Sequence, residues 1–192
     1  YSKRVSEQKF SKFDTNYQIR FFTRMAEDNS KNLWIGSFDG IINLDLSTGR
    51  RRLIRLSQPG INSDYLNRIN GMIKGDGDAL WLSTDCGVVR YNTKSDTYDY
   101  YPLPHLFMGN GHYRLTDIAL AGDSVLWIGS QNGILFRLDA QTGEFQWFQV
   151  AEGSGSFLQS NHITKVTIDK NGRIWLGTYG SGLLRFDEIT GK

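Results

Sequence analysis

Asp169-Lys170-Asn171-Gly172-Arg173-Ile174-Trp175-Leu176-Gly177-Thr178 is the stretch on which the fold turns. Its core recurs as Leu33-Trp34-Ile35-Gly36-Ser37, Leu80-Trp81-Leu82-Ser83-Thr84 and Leu126-Trp127-Ile128-Gly129-Ser130. The four tryptophans stand 47, 46 and 48 residues apart. Counting outward from each Trp keeps the repeat in phase. Twelve residues before it are Phe22, Ile69, Leu115 and Ile163; nine before it are Met25, Met72, Ile118 and Val166. Six before it are Asp28, Gly75, Ala121 and Asp169; two after it are Gly36, Ser83, Gly129 and Gly177.

Each repeat reads as four short strands. The first ends at an acidic or glycine turn, the second carries the Trp, the third follows a glycine, and the fourth follows another turn. Asn171-Gly172, Thr48-Gly49 and Thr142-Gly143 supply the positive φ that tight hairpins need. No apolar period of 3.6 residues is sustained over a helix-length window. Four strands per repeat at this period specify an all-β chain, a β-propeller of about four blades with four antiparallel strands each. Blades are expected at 21–56, 67–101, 113–150 and 162–192, all in one propeller domain, the last lacking its outer strand. Residues 1–20 are expected to supply an outer strand, centred on 8–14, that closes the last blade or completes a blade of an adjacent copy. Trp34, Trp81, Trp127 and Trp175 are expected to pack blade against blade, the alternative being a carbohydrate-stacking role. Asp28 and Asp169 are expected to form turns.

Composition narrows the function without choosing it. With 22 basic and 20 acidic residues, the net charge of +2 gives no bias toward a nucleic-acid partner. Arg50-Arg51-Arg52 reads as a solvated turn and strand edge. The single cysteine, Cys86, rules out an internal disulfide and is expected to be a small buried residue. No apolar run approaches the ~20 residues of a membrane helix, so a membrane enters only through parts of a parent protein absent here. Both ends look cut, and the chain is expected to be a fragment of a larger propeller. Exposed blade faces would then drive a homodimer or other self-association.

The segment Ile163-Thr-Lys-Val-Thr-Ile-Asp-Lys-Asn-Gly-Arg-Ile-Trp-Leu-Gly-Thr-Tyr-Gly-Ser-Gly-Leu183 resembles the two-component regulator propeller repeat. The resemblance covers about residues 20–192; the second repeat departs from it at Gly75 and Ser83. It implies the periplasmic sensor region of a bacterial hybrid two-component histidine kinase and response regulator, of a kind that detects oligosaccharides. Kinase activity would lie in parts of the parent protein not present here, so this segment is expected not to be an enzyme.

Strand parity locates the binding residues. Strands alternate in direction, so the second-to-third loops and the fourth-to-next-first loops share one face. The latter are long, at 57–66, 102–112 and 151–161, and long loops on a rigid scaffold are where binding concentrates. The candidate ligand residues are Asp39, Asp64, Arg68, Asp85, His112, Arg114, Gln131, His162 and Tyr179. Arg68, Arg114 and His162 occupy one register at the start of successive first strands. Carboxylates and amides suit sugar hydroxyls, and an arginine suits a carboxylate or sulfate. No catalytic residue, metal site or cofactor is expected: the three histidines lie in different repeats, and no metal-ligand or nucleophile-elbow spacing occurs. A propeller enzyme of the lyase or glycoside hydrolase type and a protein-interaction scaffold are the alternatives.

Overall fold

A computed structural model describes residues 19, 21–107, 114–150 and 162–188. The first sheet is an antiparallel meander of β1 (Phe22–Glu27), β2 (Asn32–Ser37), β3 (Gly40–Asp45) and β4 (Arg51–Ile54). The second contains β5 (Gly71–Lys74), β6 (Ala79–Ser83), β7 (Gly87–Asn92) and β8 (Tyr98–Pro102). The third contains β9 (Leu115–Ala121), β10 (Val125–Ser130), β11 (Ile134–Asp139) and β12 (Glu144–Gln149). The fourth has three strands among the described residues: β13 (Ile163–Ile168), β14 (Ile174–Thr178) and β15 (Leu183–Phe186). The first strands lie side by side in the order β1, β5, β9, β13. That is the inner wall of a β-propeller, as the repeat predicts. Residues 8–14, expected to provide an outer strand, lie outside the described residues.

Each sheet buries its Trp against the sheet that follows. Trp34 packs with Ile69, Met72, Leu80 and Leu82 of the second blade. Trp81 packs with Leu115, Ile118, Leu126 and Ile128 of the third, and Trp127 with Ile163, Val166, Ile174 and Leu176 of the fourth. These are the positions twelve and nine before, one before and one after the next Trp. Trp34, Trp81 and Trp127 are only 1%, 3% and 2% exposed, which makes them structural. Trp175 is half-buried, because no described blade follows it. At the other end, Phe22 and Met25 are exposed where a preceding blade would cover them. Burying one such apolar side chain contributes about 1.5–3 kcal/mol, so each interface is held by its repeat residues.

The small residue two after the Trp follows from that packing. A Cβ on Gly129 would lie 2.5 Å from Ile163 Cγ2, and one on Gly36 would lie 2.8 Å from Ile69 Cγ2. The inner strands also stitch the blades directly. A register shift in β1, β9 and β13 leaves Thr23, Thr116 and Thr164 as the extra residues of bulges. Thr23 Oγ1 donates to the Ile69 carbonyl at 2.6 Å, and Thr116 Oγ1 to that of Ile163 at 2.5 Å.

Asp28 and Asp169 form their turns and do more. Asp169 Oδ1 accepts from the backbone N–H of Asn171 and Arg173, while Oδ2 accepts from Trp175 Nε1 at 2.9 Å. Asp28 does the same for Ser30, Asn32 and Trp34 Nε1, the last at 2.8 Å. The Trp175 bond, aided by Arg173 and backbone donors, holds the Asp169 carboxyl well below the usual carboxylate range. At Asp28 burial pushes the other way, but the bonds from Trp34, Asn32 and Ser30 outweigh it and the carboxyl is again lowered.

Strand ends differ slightly from those expected. The first blade's fourth strand stops at Ile54 because Leu56 turns inward, with its N–H on Asn67 Oδ1 at 2.7 Å. The long loop that follows includes one helical turn, α1 (Ser63–Leu66), capped by Asn62. Arg52 of the basic run lies on β4 and pairs with Asp96, while Cys86 is buried as expected.

Candidate functional site

Among the described residues, the second-to-third loops meet the residues that open the first strands on one face, and the expected loop 57–66 reaches it too, while 151–161 and the end of 102–112 lie outside the described residues. The residue four past the Trp donates its N–H to the residue that precedes the first strand: Phe38 to Phe21 at 3.3 Å, Gln131 to Arg114 at 2.9 Å and Tyr179 to His162 at 2.8 Å. In the second blade the rule breaks. The Asp85 N–H instead donates to the Tyr65 carbonyl at 3.2 Å, and the Asp85 side chain is 8% exposed.

Asp85 is the centre of the mouth. Arg68 Nη1 lies 3.2 Å from its Oδ2, and Asn70 Nδ2 donates to its Oδ1 at 2.8 Å. Arg114, which opens the third blade, places Nε 3.2 Å from the same Oδ1, though off the axis of a hydrogen bond. Two guanidinium groups thus share one carboxylate, and the cluster carries a net positive charge. Arg68 is further fixed between aromatic rings, 5.9 Å from the Phe38 centroid and 5.8 Å from that of Tyr65. His162 is next in the register. Burial, and then the positive charge of Arg114, hold its imidazole below its ordinary pKa, so it is neutral at neutral pH.

Asp39 and Asp64 belong to a second feature of the same face, a groove of about 320 Å³ between the first and second blades. Phe38, Arg55, Ser57 and Ser63 also line it. Asn67 shapes it: its amide donates to the carbonyls of Leu56 and Ser63, both at 2.8 Å, tying the loop to the helical turn. Tyr179 is 71% exposed. Gln131 reaches Arg114 through its backbone, and its side chain is exposed. His112 lies outside the described residues. The structure therefore brings together Arg68, Asp85 and Arg114, and separately Asp39 with Asp64.

Sequence reasoning missed Asn67, which carries no repeat signal, and Asn70, which stands eleven before its Trp where the other repeats have Thr23, Thr116 and Thr164. It also missed a buried cluster on the inner wall. Asp117, with its side chain 2% exposed, accepts from Arg24 Nη2 at 3.3 Å and from the Val166 N–H at 3.0 Å, and it pairs with Lys165 at 2.8 Å. Arg24, Asp117 and Lys165 all stand ten residues before their Trp, where the second blade has Gly71. That register was readable; the ion pairs across it were not.

The fold and its loop-bearing mouth define a segment of a β-propeller. Residues 158–180 match the family model described as two component regulator propeller, so the chain carries that repeat. No curated protein matches the sequence significantly. Among solved structures, the chain is similar to the extracellular domain of BT4673 from B. thetaiotaomicron, described both as a one component and as a hybrid two component system. Identity is 25%, TM-score 0.69, with 97% of this chain and 23% of that chain covered. The extracellular domain of BT3049 from the same organism, also described as a hybrid two component system, is 18% identical at TM-score 0.70, covering 94% of this chain and 24% of that one. An inactive virginiamycin B lyase from Staphylococcus aureus, solved with quinupristin, is 16% identical at TM-score 0.72, covering 95% and 58%. The last two share the fold alone. The chain spans about a quarter of the length of the two-component relatives, so it is a fragment of a larger propeller. No helix among the described residues is long and apolar enough to cross a membrane.

Proposed function

We propose that this segment is part of the periplasmic sensor region of a bacterial hybrid two-component signalling protein. In this reading its mouth binds an oligosaccharide-type ligand, or relays the binding, without catalysing a reaction. The observation that carries the binding role is the convergence of Arg68 and Arg114 on the single carboxylate of Asp85. One acid cannot saturate ten N–H donors, so the pair keeps donors for a ligand oxyanion or for sugar hydroxyls. Supporting the sensor role are the regulator propeller repeat at 158–180 and the likeness to extracellular domains of two-component proteins.

The end faces are proposed to self-associate when the segment is isolated, through Phe22 and Met25 at one end and Leu183 at the other, all more than half exposed. Sedimentation of the isolated segment tests this, and a monomer at all concentrations is the opposing result. The binding role is tested by calorimetry of the segment with neutral and uronate-containing oligosaccharides. Saturable binding that Arg114→Ala weakens is the expected result. Turnover of the sugar would replace the sensor reading with an enzymatic one.

A further inference from the structure

The inner wall repeats the arrangement of the mouth. In the mouth, Arg68 of the second blade and Arg114 of the third share the carboxylate of Asp85. Further along the first strands, Arg24 of the first blade and Lys165 of the fourth share the carboxylate of Asp117. Arg24 gets there across the second blade, whose residue at that register is Gly71, with no side chain to stand in the way. Each carboxylate is nearly buried, while the cations over it reach solvent. Arg24 directs Nε and Nη2 at Asp117 and Nη1 at the Thr23 carbonyl, and Lys165 pairs with Asp117 alone, so both keep N–H groups to donate. The two steps hold four cations against two carboxylates, in a chain whose other charged side chains balance. A second observation marks the same path. Among the described residues, three buried side-chain polar atoms lack a hydrogen bond: Ser83 Oγ, Arg114 Nε and Arg137 Nε. Arg137 lies on a third strand, away from the axis. The other two fall one in each step. Arg114 Nε faces Asp85 off axis, and Ser83 Oγ adjoins the notch at Gly71, 2.5 Å from where a Cβ would stand. Buried polar groups without partners are rare, and a bound water or ligand oxygen in each step would satisfy them.

We propose that the mouth and this inner step form one axial site for a linear acidic oligosaccharide, which sets one carboxylate against Arg68 and Arg114 and another against Arg24 and Lys165. The proposal rests on the mouth being a ligand site, and it adds the class of the ligand and two residues that select it. Asp117 is itself fixed by burial and by the Val166 N–H, so it holds the two cations side by side and offsets half their charge, as Asp85 does for the arginines. Arg114 and Asp117 are three residues apart, which separates the steps by roughly 7–10 Å along the strand. That spacing asks for two acids on one chain. A neutral sugar leaves the excess charge of both steps unanswered, and a single uronate answers only one of them.

Calorimetry of the segment with galacturonate, trigalacturonate and neutral galactotriose tests the site. Trigalacturonate should bind about tenfold tighter than galacturonate, and galactotriose more weakly than either. Raising the salt should weaken the trimer more than the monomer, because more ion pairs are screened, and this comparison needs no variant. Arg24→Gln and Lys165→Gln each leave Asp117 one cation and the Val166 N–H, and each should remove most of the trimer's advantage. Lys94→Gln takes the same charge from an exposed turn and should not. Equal affinity for monomer and trimer, or a trimer affinity that neither inner variant changes, overturns the inner step and leaves the mouth. Galactotriose bound as tightly as trigalacturonate overturns the acidic class and leaves the oligosaccharide reading. Absence of binding by all three overturns both.

Discussion

Gly71 and Ser83 face each other across β5 and β6, and a Cβ on Gly71 would lie 2.5 Å from Ser83 Oγ. In the third and fourth blades the same cross-strand pair is Asp117 with Gly129 and Lys165 with Gly177. The second blade has exchanged the large and small partners, which is how it accepts a serine where the repeat has glycine. The exchange has a second effect. A Cβ on Gly71 would also lie 3.1 Å from Asp117 Cα, so the missing side chain leaves room beside Asp117 of the third blade, which Arg24 of the first blade reaches. Gly71→Ala should cost about 1–3 kcal/mol through overpacking. Ser83→Ala removes a buried hydroxyl with no partner and should be neutral or stabilising by up to ~1 kcal/mol. Urea unfolding of both variants checks the pair.

Two glycines at equivalent positions should respond differently to the same change. At Gly129 a new Cβ meets Ile163 at 2.5 Å, whereas at Gly177 the nearest atom is Lys165 Cβ at 3.4 Å. Gly129→Ala should destabilise by about 1–3 kcal/mol and Gly177→Ala by less than about 0.5 kcal/mol. Similar losses in thermal unfolding would mean that the contact with the next blade is not what requires the glycine.

Asp85 should matter more to stability than either arginine it holds. Asp85→Ala leaves two guanidinium groups facing each other without their shared acid, and Asn70 without its acceptor. A loss of about 1–3 kcal/mol is expected, since the two guanidinium groups left behind are partly exposed to water. Arg114→Ala removes one cation and leaves Arg68 and Asn70 on Asp85, so it should cost under about 1 kcal/mol. Denaturant titrations that rank the two variants the other way round would remove Asp85 from the centre of the mouth.

His162 gives a pH dependence with a definite sign. Its folded pKa lies below the ordinary 6.5, so the unfolded chain binds its proton first as pH falls. Stability should therefore be constant above about pH 7.5 and decline below about 6.5. His162→Gln should flatten that part of the profile. Melting temperatures between pH 5 and 8 measure both.

The second blade shows how far local sequence reaches. Trp81, Leu80 and Leu82 keep the repeat phase, and the phase alone placed β6 and set Trp81 between neighbouring blades; that it packs on the third came from the structure. Gly75 and Ser83 read only as departures from the pattern. Their meaning is three-dimensional: a Cβ on Gly75 would crowd the Trp81 indole at 2.8 Å, and Ser83 is accommodated by Gly71 across the ladder. In the mouth, the common register of Arg68, Arg114 and His162 was legible because inner strands repeat their geometry. That Asp85 would turn inward and take both arginines was not. It depends on the Tyr65 carbonyl, which a loop outside the repeat delivers to the Asp85 N–H.

By itself the sequence determined the four-stranded blade, its period, the direction of each strand and the apolar positions that join blade to blade. Those follow from local alternation and turn chemistry, repeated often enough to be counted. Only the tertiary structure decided which charges meet: Arg68 and Arg114 on Asp85, Arg24 and Lys165 on Asp117. The physical reason is that all of these pairs except Arg68–Asp85 bridge separate blades, and their distances are set by how the sheets stack around the axis, which no single repeat encodes.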